Sequence, residues 1–172
     1  MSGEPLNRGP EAAALRPLRR GVGIMVLNDS GLVLVCRRRD RRDAWQMPQG
    51  GIDGDETAHA AALRELAEEI GTADVEILGQ TEGWLDYELP PDLAGRVWRG
   101  RYRGQTQKWF AVLLCAGEEE IDLGDGAKAE FTAWRWVEPE RLAALIVPFK
   151  RDVYRAVLAE FAPLIARLRG GA

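Results

Sequence analysis

Glu65, Glu68 and Glu69 fall within one helical turn of each other, directly after the glycine-rich stretch PQGGIDGD. On a helix, positions three and four apart share a face, so Glu65 neighbours both other carboxylates, and like charges at that spacing repel. A helix built for stability alone gains nothing from the arrangement, whereas a positive species held between the carboxylates accounts for it. Carboxylate oxygens are hard ligands that suit Mg2+, or Mn2+, better than zinc, and no His or Cys ligand lies near them. The bland alternative is a solvated acidic face in which Arg64 pairs with Glu68 at i, i+4. Charge spacing alone leaves both readings open.

The run from Asp55 to Ile70 is made of alanine, leucine and glutamate, which favour helix. Ala62, Leu66 and Ile70, with Leu63 beside them, form an apolar stripe, Asp55 or Thr57 can cap the start, and Gly71 stops the helix. Ahead of it, GVGIMVL and LVLVCRR are apolar and β-branched and are split by Asn28-Asp29-Ser30-Gly31, which predicts a β-hairpin. The stretch from Arg37 to Asp55 is too polar and too rich in Gly and Pro to be regular. DVEILGQ, EGWLDYEL, KWFAVLLCA and FTAWRWVEP predict strands, with PPDLAGRVWRGRYRGQ as a loop. EPERLAAL and residues 149–168 predict helices, the second carrying Val153, Val157, Phe161, Leu164 and Leu168 at helical spacing. Strands and helices do not alternate regularly, so the expected class is α+β, a mixed β-sheet between helices rather than a doubly wound parallel fold.

A chain of 172 residues is the usual size of one domain. Residues 1–16 lack periodicity and read as a flexible leader, which leaves 17–168 as the single domain. A net charge of −4 argues against a generic nucleic-acid coat protein, so any polyanion must meet a local basic patch. Cys36 and Cys115 sit in apolar runs without metal or redox spacing and read as inert core thiols in a reducing compartment. The start of the chain has no apolar signal-peptide core and no stretch is long enough to span a bilayer, so a cytoplasmic protein is expected. His59, alone among alanines, reads as an exposed residue without a catalytic role. Trp45, Trp109, Trp134 and Trp136 read as core rather than stacking platforms.

From Gly50 the sequence fits G-x5-E-x7-R-E-U-x-E-E-x-G, U being aliphatic, through Gly50, Glu56, Arg64, Glu65, Leu66, Glu68, Glu69 and Gly71. This resembles the Nudix box. Thr72 replaces the aliphatic residue that commonly follows, and Gly54-Asp55 replaces a common Pro-Gly; neither change removes a ligand. The resemblance implies a Nudix α/β/α sandwich and hydrolysis of a phosphoanhydride bond by water attacking phosphorus. It also implies that Glu65, Glu68, Glu69 and the Gly50 carbonyl hold divalent cations, Mg2+ or Mn2+, while Glu56 and Arg64 brace the loop and helix.

WQMPQGGI, QKWF, EFTAWRWV and PFKRDVYR extend the likeness to bacterial RNA 5′-pyrophosphohydrolases and the related dinucleoside polyphosphate hydrolases, over residues from about 19 to 162. By this resemblance Glu130 is an additional metal ligand or general base, and Arg19 and Arg38 contact the 5′ phosphates. Phe149 stacks on a base with Lys150 beside it for backbone phosphate. Gln107 and Lys108, with Gln105 and the arginines of GRVWRGRYRG, supply a basic substrate-binding surface; a solvated loop is the alternative there. The expected reaction removes pyrophosphate from the 5′-triphosphate or diphosphate end of RNA and so initiates RNA decay. Its rivals are asymmetric hydrolysis of diadenosine tetraphosphate to ATP and AMP, or a Nudix-like module that binds a nucleotide without cleaving it. The third fits poorly, because every carboxylate is retained. No membrane or DNA partner is expected, and a monomer is favoured.

Overall fold

The computed structural model describes residues 16–125 and 129–170. Eight strands form one mixed sheet: β1 (Leu18–Leu27), β2 (Val33–Arg38), β3 (Trp45–Gln46), β4 (Gln49–Gly51), β5 (Val75–Gln80), β6 (Leu85–Glu88), β7 (Gly104–Leu114) and β8 (Phe131–Val137). The spine of the sheet runs β3-β2-β1-β7-β5, with β4 on β1, β6 on β7 and β8 on β2. β1 and β7 pair in parallel over their whole length, from Leu18 opposite Gly104 to Leu27 opposite Leu113, and the other pairings are antiparallel. β1 and β2 are the expected hairpin. Asn28 Oδ1 accepts the backbone N–H of Ser30 and of Leu32, both at 3.0 Å, and Gly31 takes the left-handed φ of 75° that the turn needs.

The apolar run of β1 is buried on both sides because the sheet is covered on both. Val22, Ile24 and Val26 face α1 (Ala58–Ile70), whose stripe of Ala61, Ala62, Leu66 and Ile70 closes one core with Leu34, Phe110 and Val112. Met25 and Leu27 face the opposite core, which Val153, Tyr154, Val157, Phe161 and Ile165 of α4 (Arg151–Gly170) close against Trp109 and Ala111. Two short helices, α2 (Pro91–Ala94) and α3 (Leu142–Leu145), lie in the connections. The result is the expected α+β sandwich. Among the described residues, no helix is long and apolar enough to cross a membrane.

Several local expectations are corrected. The stretch expected to be irregular contains β3 and β4, because even Gly and Pro neighbours tolerate two or three ladder residues once β1 and β2 offer them edges. The basic loop contains α2 and a tight turn over Val97–Gly100, and β7 begins at Gly104 rather than Lys108. Cys36 is buried, but Cys115 lies just past the end of β7 and is exposed. On α4, Tyr154 and Ile165 are core, while Leu164 and Leu168 are only partly covered. Trp109 is fully buried; Trp45, Trp134 and Trp136 pack partly buried against the cores. The leader expected over residues 1–16 lies outside the described residues except for Arg16, which donates to the Ala94 carbonyl at 3.3 Å.

Candidate active site

Helix α1 starts where Thr57 Oγ1 accepts the N–H of Ala60 at 3.0 Å, and ends at Gly71, whose left-handed φ of 79° lets its N–H return to the Ala67 carbonyl. The loop before it is stapled to the helix by Arg64. Its Nε donates to Glu56 Oε2 at 2.8 Å, and its Nη2 donates to Glu56 Oε1 at 2.9 Å and to the Gly51 carbonyl at 2.8 Å. Arg64 holds the Glu56 carboxyl at about 2, well below its ordinary value, helped by the Asp53 backbone N–H. Arg64 Nη1 reaches Glu65 at 2.9 Å and Glu68 at 3.3 Å. Glu65 in turn lies so close over Gly50 that a Cβ there would overlap its carboxyl group.

Glu69 points inward, only 7% exposed, and its Oε2 accepts the Gln49 backbone N–H at 3.1 Å. Burial pushes its carboxyl well above the usual carboxylate range, and the neighbouring charges of Glu130 and Glu65 push it further. Burial also raises Glu130 and Glu65. Glu65, Glu68, Glu69 and Glu130 line one pocket of about 310 Å³ with Leu123, Gly124 and Asp125. Such a concentration of hard oxygen donors, short of cationic partners at Glu69, suits a divalent cation in kind. It is not preassembled: among the described residues no three His, Cys, Asp or Glu side chains close on one point, and Arg64 holds Glu65 and Glu68. A cation would compete with that guanidinium. The Cys36 thiol below is pushed up by burial, then by Glu69 and Glu130, and is inert.

Beside this pocket a second one is lined by Arg38, Arg39, Asp40, Ala129 and Glu130. Arg39 ties the Glu130 segment to the end of β2, its backbone N–H donating to the Glu130 carbonyl at 2.9 Å and its Nε to the Ala129 carbonyl at 2.7 Å. Arg38 is held side-on by Asp40, with Nε to Oδ1 at 2.9 Å and Nη2 to Oδ2 at 2.6 Å. Lys150 is buried, and its ammonium is pushed down to about 8 by that burial and by Arg38, against the pull of Glu130 and Glu69. Phe149 lies half-buried with its ring centre 5.8 Å from that of Tyr87.

On the α4 side of the sheet a chain of buried amides has a fixed direction. The indole N–H of Trp109 can only donate, and it donates to Gln107 Oε1 at 3.1 Å. Gln107 must therefore turn Nε2 toward Gln49 Oε1, at 3.2 Å, and Gln105 Oε1, at 3.1 Å. Gln105 Oε1 also accepts the Tyr87 hydroxyl at 2.9 Å, so its own Nε2 is left over. That donor is fully buried over Gly21 and has no acceptor among the described residues.

A NUDIX domain model matches residues 17–157. The chain belongs to the Nudix family. It is 55% identical over 153 residues to an RNA pyrophosphohydrolase of Rhodospirillum rubrum, covering 89% of this chain and 92% of that one. With an RNA pyrophosphohydrolase of Novosphingobium aromaticivorans the identity is 51%, over 90% of this chain and 99% of the relative. Among solved structures, the E. coli dihydroneopterin triphosphate pyrophosphohydrolase superposes with a TM-score of 0.63 at 22% identity, covering 84% of this chain and 99% of that one. A C. elegans Ap4A hydrolase complex gives 0.58 at 19%, covering 85% and 99%; at these identities the likeness is one of fold. Nudix hydrolases use divalent metals.

The Nudix helix brings Glu65, Glu68 and Glu69 to one pocket, the segment before β8 adds Glu130, and Gly50 lies directly under the Glu65 carboxyl, with Glu56, Arg64 and Gly71 shaping the scaffold. Arg38 and Lys150 border Glu130. Two expectations for substrate contact fare differently. Gln107 spends its amide on Trp109, Gln49 and Gln105, and the donor left over in this chain, Gln105 Nε2, is itself buried. Lys108 faces the other side of β7, its Nζ donating to the Glu82 carbonyl at 3.0 Å, and the structure does not bring it to the cleft. His59 is exposed at the edge of Phe110. Gln49, Tyr87 and Asp40 are additions, while Gln105, expected in the basic surface, sits instead in a buried amide chain; its signal lay in QTQKW, where two glutamines share a strand face with a core tryptophan.

Proposed function

We propose that this Nudix hydrolase removes pyrophosphate from the 5′-triphosphate end of RNA, or phosphate from a diphosphate end, leaving a monophosphorylated end open to decay. The observation that carries the reading is the convergence of Glu65, Glu68, Glu69 and Glu130 on one pocket, with Arg38 lining the pocket beside it across Glu130. The names of relatives 48–55% identical over about nine-tenths of the chain support RNA as the substrate.

Glu65, Glu68, Glu69, Glu130 and the Gly50 carbonyl would hold Mg2+, with Mn2+ as a substitute. Bound there, the metal offsets phosphate charge and lowers the pKa of a water. Arg19 and Arg38 bind the 5′ phosphates through their planar forks. The Lys150 ammonium, close to Glu130 and Arg38, adds positive charge on the α4 side of the cleft. Glu130, facing Glu69 and carried on the segment that Arg39 ties down, serves either as one of these metal ligands or as the base that takes the proton of the attacking water. Phe149, resting on Tyr87, offers the first base a surface to stack on.

The test compares kcat/KM under Mg2+ for 5′-triphosphorylated RNA and diadenosine tetraphosphate. A preference for RNA, with pyrophosphate or successive phosphates released, is expected. A preference for the dinucleotide assigns the chain to the second substrate class, and inactivity on both contradicts the enzymatic reading.

A further inference from the structure

The two arginines assigned to the 5′ phosphates are held in opposite ways. The fork of Arg38 is closed by Asp40. The half-buried guanidinium of Arg19 makes no hydrogen bond and no ion pair among the described residues. Its Cζ lies 5.2 Å from the centre of the Trp98 ring, and its Nη2 rests on the backbone of Gly51, where a Cβ would overlap it. Gly51 adjoins Gly50, over whose opposite face the Glu65 carboxyl packs, so Arg19 and the Nudix carboxylates flank the same short strand from its two sides.

Trp98 is presented in an uncommon way. With φ of 51° and 56°, Trp98 and Arg99 are left-handed, and among the described residues they are the non-glycine residues with positive φ. Such strain persists only where the surroundings impose it, and it gathers at functional sites. Here the Arg101 N–H closes the turn on the Trp98 carbonyl at 3.2 Å, the Tyr102 ring meets the indole edge-on at 6.1 Å, and Leu89 N–H bonds the Arg103 carbonyl at 2.8 Å. The turn is pinned at both ends while its centre carries the indole to Arg19.

A half-buried arginine needs something to hold it. A carboxylate would do so by occupying the fork and cancelling the charge, as Asp40 does for Arg38. An aromatic face attracts the cation through its quadrupole and leaves the N–H donors unused. We propose that Trp98 is a positioning residue for phosphate binding: the strained turn exists to hold Arg19 on a π face, unpaired, with its donor fork open to the 5′ phosphates of the RNA. This rests on the reading of Arg19 as a phosphate ligand.

The experiment is a double-mutant cycle on 5′-triphosphorylated RNA with Mg2+, reading KM and kcat separately for Arg19→Ala, Trp98→Leu, Trp98→Phe and the Arg19→Ala/Trp98→Leu pair, with melting curves for each. Trp98→Leu is expected to raise KM by about 3- to 30-fold with kcat little changed. Trp98→Phe, which keeps a weaker π face, should fall in between, and it supplies the same cycle if the leucine variant does not fold. In the Arg19→Ala background the loss of Trp98 should cost nothing further. An undiminished second loss there would mean that Trp98 acts on the RNA directly, by stacking, and would overturn the proposal, as would an unchanged KM in Trp98→Leu. If Arg19→Ala alone leaves KM intact, the phosphate assignment of Arg19 falls and this proposal with it, while the carboxylate site is untouched.

Discussion

Burial makes Glu69 costly to the fold, and the proposed function makes it necessary to the reaction. Its carboxyl is buried beside two others, so a neutral isostere relieves repulsion and burial while keeping the acceptor for the Gln49 N–H. Glu69→Gln should therefore lower kcat by roughly 100-fold or more while the melting temperature stays level or rises. A large fall in melting temperature, or retained activity, would count against its role. At Asp40 the effect runs the other way, because it occupies the fork of Arg38 and places a negative charge beside the proposed phosphate site. Asp40→Asn should reduce KM for triphosphorylated RNA by about 2- to 5-fold, the worth of an exposed ion pair; an increase in KM would make Asp40 an orienting partner instead. The carboxylates were legible because their spacing on a helix is fixed by its geometry. Asp40 was not, and Gln105 could be read only as part of a basic surface, since the meaning of both depends on partners that only the folded chain brings near.

The decisive element is α1 with its preceding loop, where Arg64 joins the two by contacts to five residues, Gly51, Asp53, Glu56, Glu65 and Glu68. Lysine cannot make a planar fork, so Arg64→Lys should lower stability by about 1–3 kcal/mol and reduce activity with it, as read by melting and initial rates. The same lock sets a pH dependence. The Glu56 carboxyl is held at about 2 against an ordinary 4.5, so what it adds to stability is complete above pH 4.5 and is lost as the pH falls toward 2. The melting temperature of Glu56→Gln should fall less steeply than that of the wild type across this range; parallel curves would show that the pair contributes nothing. The helix, the hairpin and the long strands could be read from periodicity and turn residues. β3 and β4 could not, because two or three residues carry no period, and the left-handed turn at Trp98 and Arg99 breaks the rule that such positions favour glycine.

At the scale of the molecule, one sheet covered on both faces lets different chemistry reach one cleft from two sides. The α1 side brings the carboxylates, and the α4 side brings Tyr87, Gln105, Phe149 and Lys150. Glycines at 21, 23, 50 and 51 let side chains lie flat over the strands, since a Cβ at each would overlap Gln105, Trp109, Glu65 and Arg19 respectively. The sandwich was foreseeable from mixed element order and the Nudix spacing, but the parallel pairing of β1 with β7, which aligns Arg19 with Gln105, lies beyond local pattern. The central claim is that this shared cleft is one metal-dependent catalytic site for the 5′ end of RNA. Single-turnover cleavage of 5′-triphosphorylated RNA, followed across a Mg2+ titration for wild type and Glu69→Gln, tests it most directly. The account predicts saturable Mg2+-dependent formation of monophosphorylated ends that Glu69→Gln nearly abolishes; cleavage without Mg2+, or undiminished in Glu69→Gln, would contradict it.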